Sequence, residues 1–165
     1  MKNYGFTLLE TLVAVTILTI VIIGPLTLAI NSISVAMISQ NQITAFYLSQ
    51  EAMEYIGNIR DSNFSQGKDW LDGLADCAGA GGCYVDIING RITACLGGCP
   101  KIKYDNGGYY NYESGEEAIF IRTVKITPNI GGNSDEVRVE VVAQWPEKFG
   151  GQKSFTLQKN LFKWK

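Results

Sequence analysis

The chain has 165 residues, a formal net charge of −2 and no histidine. Without histidine, triad hydrolases and most zinc enzymes lose their usual base or ligand, and the small charge gives no general pull toward nucleic acid or anionic lipid. The length accommodates one domain and an accessory segment.

No charged residue occurs from Thr11 to Gln50. The most apolar part, "TLVAVTILTIVIIGPLTLAI" over 11–30, predicts a helix about 30 Å long, the thickness of a bilayer core. Lys2 ahead of it favours a cytoplasmic N-terminus and an exported remainder. Glu10 stands at the head of the run, where a carboxylate is costly unless it finds a partner. Gly24 and Pro25 predict a kink or local melting, either a tolerated irregularity of membrane helices or a flexible joint. Ile33, Met37, Thr44, Tyr47, Leu48, Ala52, Tyr55, Ile56 and Ile59 recur at spacings of three and four and carry the helix to about Arg60. Asp61, Ser62, Asn63 and Gly67 then supply turn chemistry.

Beyond the helix, "GLADCAGAGGCY" (73–84) reads as a disulfide-held surface loop. Cys77, Cys83, Cys95 and Cys99 in an exported segment favour two disulfides over a metal site. "CYVDIINGRITAC" predicts a hairpin about Asn89–Gly90, with Ile88 facing Arg91 and Tyr84 facing Cys95. That register prefers the nested pairing Cys83–Cys95 and Cys77–Cys99, although the short loops 77–83 and 95–99 could close as well. Strands are predicted at 118–127, 136–145 and 154–162. Val137, Val139, Val141, Ala143 and Trp145 alternate with polar residues, so one sheet face is buried, with the helical stripe as its natural cover. The predicted fold is α+β, a long N-terminal helix packed on a C-terminal antiparallel β-sheet head.

"GFTLLETL" ahead of the apolar helix, with "FYLSQEAMEYIGNIRDSNF" leading into a β-rich head, resembles the type IV pilin-like proteins, in their minor pilin or pseudopilin branch. The resemblance implies cleavage by prepilin peptidase between Gly5 and Phe6, N-methylation of Phe6, and an assembly role for Glu10. In a staggered bundle that carboxylate would meet the new ammonium of a neighbouring subunit. The implied organisation is a cleaved leader (1–5), a transmembrane and filament-core helix (6–30), its amphipathic continuation (31–60) and an exported disulfide-containing head (61–165). The implied partners are other pilin or pseudopilin subunits, the peptidase and the inner-membrane assembly machinery, with no cofactor, no metal and no catalytic residue. The implied location is a single pass through the inner membrane, head outside, before assembly into an extracellular or periplasmic filament.

The competing reading is a conventionally exported, soluble or membrane-anchored binding domain, cut after "SVA" (34–36) to begin near Met37. Asp61, Asp69, Asp72, Glu113, Glu116 and Glu117 show no catalytic pairing, and "GGNSDE" (131–136) suits a turn better than a calcium loop. Lys101 and Lys103 are too few to argue for DNA. "YDNGGYYNYESG" (104–115) is either a tyrosine-rich loop packed on the head or an adhesive surface. Trp70, Trp145 and Trp164 read as core or rim packing.

Overall fold

The structure, a computed structural model, describes residue 5 and residues 7–147 and 150–163; Phe6, Trp164 and positions 1–4 of the leader lie outside the described residues. The backbone clusters into two compact units, Met1–Asn41 and Gln42–Lys165. Helix α1, Leu8–Ser65, begins in the first and ends in the second.

In the first unit the large apolar side chains from Leu8 to Ile38 are exposed. An 18-residue window there has a mean hydropathy of 2.6, so α1 is long and apolar enough to cross a membrane. Most of its hydroxyls bond within the helix. Thr11 donates to Leu8 O (2.9 Å), Thr16 to Val13 O (2.8 Å), Thr19 to Thr16 O (2.8 Å) and Ser32 to Leu28 O (2.8 Å). Such bonds remove the cost of placing a hydroxyl among apolar neighbours. A kink or local melting was expected at Gly24–Pro25, and α1 is continuous in helical assignment through both. Pro25 cannot donate to the preceding turn, but Thr27 Oγ1 donates to Gly24 O (2.8 Å) and Ile23 O (3.2 Å) beside it.

The second unit is α+β. The end of α1 packs on an antiparallel sheet of seven strands: β1 Cys83–Asp86, β2 Arg91–Ala94, β3 Lys101–Tyr104, β4 Tyr110–Asn111, β5 Glu116–Ile130, β6 Asn133–Pro146 and β7 Gln152–Phe162. Strand β5 is the organising element. Ile121 lies between Gln144 and Lys101, and Val124 between Val141 and Cys83, so β6 takes one edge and β3 and β1 share the other. The three strands predicted from alternation are present and run a few residues longer.

The buried helical face is Ala45, Leu48, Ser49, Ala52, Met53, Ile56 and Asn63. The predicted stripe needs correcting on this point: Tyr47 is 64% exposed, and Ala45, Ser49 and Met53 take the inner positions. Small Ala45, Ser49 and Ala52 let the helix approach the sheet, and Ser49 Oγ hides its donor on Ala45 O (2.8 Å). Ile56, Val124, Val139 and Val141 centre one apolar cluster, while Phe120, Ile102 and Trp145 centre another. Trp70 and Trp145 are core residues.

The hairpin register also differs from expectation. Asp86 faces Arg91 and Cys83 faces Ala94, a slip of two residues. Asp86 Oδ2 accepts from Asn89 Nδ2 (2.8 Å) and Oδ1 from Asn89 N (3.3 Å), which closes the turn two residues early. The shift is even, so each side chain keeps its face. Cys83 and Cys95 have opposite strand parity in either register, and the nested pairing gives way to the short-loop closures Cys77–Cys83 and Cys95–Cys99. Cys77 lies in a short 3-10 turn, Ala75–Ala78, and is fully buried with Cys83, so this loop is less superficial than its composition suggests. The intervening glycines are sterically required. A Cβ on Gly81 would lie 2.2 Å from Cys95 O, and one on Gly82, at φ +67°, 2.5 Å from Val124 O.

Candidate functional site

Two regions of the chain concentrate chemistry. The first is the start of α1. Thr7 precedes the helix and its Oγ1 accepts from Glu10 N at 3.3 Å, while Thr7 O accepts from Thr11 N at 3.2 Å. This is one half of a capping box, the Thr-x-x-Glu pattern in which a hydroxyl covers a free amide of the first turn. Thr7 was not singled out in the sequence, although "TLLE" carries that signature. The cap leaves Glu10 in the first turn, exposed, where the helix dipole favours an anion. Among the described residues its carboxylate accepts no hydrogen bond and meets no cation. Gly5 is exposed, and a Cβ on Gly24 would meet nothing within 4 Å.

The second region surrounds Arg122. Phe120, Arg122, Val124 and Ile126 alternate onto the inner face of β5, which places a guanidinium in the core. Arg122 Nη1 donates to Leu48 O (2.9 Å) and Glu51 Oε2 (2.8 Å), and Nη2 donates to Val85 O (2.7 Å). One side chain thus ties α1, β1 and β5 together. Its Nε has no acceptor among the described residues. The Tyr112 ring lies 5.9 Å from the guanidinium carbon, and its hydroxyl is likewise buried without a bonding partner.

Burial pushes the Tyr112 phenol above its ordinary 10.0, opposed by the nearby Arg122 charge. Tyr110 is also raised, by burial and then by the neighbouring Tyr104. A phenol raised only in the folded state stabilises the fold below pH 10 and loses that contribution as pH climbs past 10 toward the folded value. Tyr112→Phe is therefore expected to flatten the alkaline loss of stability. Because it deletes an unsatisfied hydroxyl, it should cost less than about 1 kcal/mol at neutral pH. Unfolding midpoints measured between pH 8 and 11 check both expectations.

The acidic residues considered from the sequence are dispersed. Asp61 pairs with Arg60 (2.6 Å), Glu117 with Lys101 (3.2 Å) and Glu113 with Arg91, while Asp69 Oδ1 accepts from Leu71 N (2.9 Å). Lys103 Nζ donates to Glu113 O (3.1 Å). Among the described residues no group of three or more acids or cysteines is placed to hold a metal. At 131–136 the chain makes the β5–β6 turn, with Asn133 Oδ1 accepting from Asp135 N (3.0 Å).

Neither the curated proteins nor the solved structures compared with the chain match it. One family does match: residues 1–24 fit the prokaryotic N-terminal methylation motif, and together with the capped apolar helix that follows, they make the chain consistent with a type IV pilin-like protein.

Proposed function

We propose that this chain is a structural filament subunit, of the minor pilin or pseudopilin kind, in a type IV pilus or type II secretion-like filament. The methylation motif over residues 1–24 carries the reading, and it supports pilin-like processing and assembly and a membrane-anchored form. Prepilin peptidase removes 1–5 between Gly5 and Phe6, and Phe6 is N-methylated. Residues 6–30 hold the chain in the inner membrane and later line the filament core, 31–60 continue the helix, and 61–165 form the exported head. Other pilin or pseudopilin subunits and the inner-membrane assembly machinery are its partners. The work is mechanical, with no cofactor and no catalysis.

Several features of α1 support this reading. Its apolar side chains are exposed in the single chain, so a lipid or a neighbouring helix must cover them. Most of its hydroxyls are internally bonded, as a helix leaving water requires. Glu10 holds an anion one turn from where cleavage would create an ammonium.

Intact-mass measurement of the chain recovered from its own cells tests the processing. The expected mature chain begins at Phe6 and carries one added methyl group, and Gly5→Val should accumulate unprocessed. A mature chain beginning at Met37 would overturn the reading in favour of conventional export.

A further inference from the structure

A groove of about 540 Å³ runs along the outer side of α1 in the second unit, between the helix and the tyrosine-rich loop. Tyr47, Leu48, Glu51 and Glu54 line it from the helix, with Tyr109 and Tyr110 opposite. Among the described residues no lysine or arginine lines it. Tyr47 and Tyr109 are 64% and 65% exposed, so both rings are accessible to an incoming group.

The loop holding Tyr109 is set before any partner arrives. Asp105 Oδ1 accepts from Gly107 N and Tyr109 N, each at 3.0 Å, and Asp105 N donates to Tyr109 O at 3.1 Å. Tyr110 is anchored behind it, 5.0 Å from the Tyr104 ring and 6.4 Å from that of Phe120. Preorganisation of this kind lowers the ordering cost of binding.

The charge within the groove selects its occupant. Glu51 is compensated by Arg122 from within the core (2.8 Å), whereas Glu54 is exposed and bonded only to the neutral Gln50 amide (2.9 Å). Among the described residues one negative charge therefore remains uncompensated beside two exposed aromatic rings. That combination attracts a single cation carried on an apolar stem. The helical lining extends from position 44 to position 54, about 15 Å of helix and roughly the length of four or five extended residues. A free amine would fill only part of it.

We propose that this groove receives an extended segment of a partner protein bearing one lysine or arginine, whose charge meets Glu54 and whose stem lies against Tyr47 and Tyr109. Recognition here does not depend on how the N-terminus is processed.

The test uses the full chain in detergent micelles and fluorescent, end-capped pentapeptides of glycine, serine and leucine with one central lysine. Lysine and arginine peptides should bind saturably, with the norleucine peptide at least about tenfold weaker. Glu54→Gln and Tyr109→Ala should each weaken lysine-peptide binding about fivefold without shifting the unfolding midpoint, since both side chains are exposed. Equal binding of the norleucine peptide, or unchanged binding by Glu54→Gln, would overturn the proposal. So would competition by lysine amide as effective as that of the peptide. A photo-crosslinker at position 109 in cells should capture a different protein, and adducts with a second copy alone would assign the groove to self-association instead.

Discussion

Arg122→Ala is expected to destabilise the second unit by about 3 kcal/mol or more. Arg122 is 3% exposed, and its three hydrogen bonds reach a helical carbonyl, a carboxylate and a strand carbonyl, all of them far from Arg122 in sequence. Truncation would leave Val85 O without this donor and open a cavity between α1 and β5. Most of the effect should come from these losses rather than from the ion pair, because the Glu51 side chain is 46% exposed and water can replace its partner. Glu51→Gln should accordingly cost less than about 1 kcal/mol. Arg122→Lys should fall close to alanine, because one ammonium cannot fork toward Leu48 O and Val85 O together. Urea unfolding followed by the fluorescence of buried Trp70 and Trp145 gives the numbers. A loss under 1 kcal/mol for Arg122→Ala would show that the guanidinium does not staple helix to sheet.

The other large effect belongs to assembly. Under the proposed filament function, Glu10→Gln should reduce incorporation into filaments at least about tenfold while leaving membrane insertion intact. Apolar helices attract one another almost equally well in many staggers, so adhesion alone does not select a register. A carboxylate held in the first turn by the Thr7 cap can meet a neighbour's ammonium in only one of those staggers. Glutamine preserves the shape and removes the charge. The measurement is the ratio of subunit in the sheared filament fraction to that in the membrane fraction. Wild-type incorporation of Glu10→Gln would sink the pairing, whereas Thr7→Ala should give an intermediate defect by loosening the cap.

Much of the fold was legible because it follows from periodicity. The uncharged run through Gln50 and the three- and four-residue spacing announced α1, and strict alternation announced β5, β6 and β7. The features that escaped are those decided by single polar atoms. Asn63 looked like a turn residue, yet its Nδ2 donates to Asp72 O (2.8 Å) and it stays helical and buried, carrying α1 to Ser65. Asp86 closed the hairpin early, and the cysteines pair within their short loops rather than across the hairpin. Tyr47 matched the apolar stripe by spacing but faces the groove, a choice composition cannot make for an amphipathic ring. Arg122 left a readable trace, since it shares strand parity with Phe120, Val124 and Ile126. A charge on the apolar face of a strand signals a buried tie. At the N-terminus, Gly5 and Glu10 were read from their order alone, and the Thr7 cap is the one element there that the geometry adds.

Among the described residues strand β7 has a neighbour on one side, β6, and it carries lysines along its length. Lys153 pairs with Trp145 and Lys159 with Val139, in register positions shared with Phe155, Leu157 and Leu161, yet both lysines are exposed and Lys153 Nζ meets Glu147 Oε1 at 3.0 Å. Any association that crowds identical copies together brings many such open margins within reach, and a bare margin would let sheets fuse without limit. Two exposed lysines on the edge strand would have to give up solvent in such a fusion, which disfavours lateral growth through this strand. The same placement should keep newly made heads dispersed while they await partners.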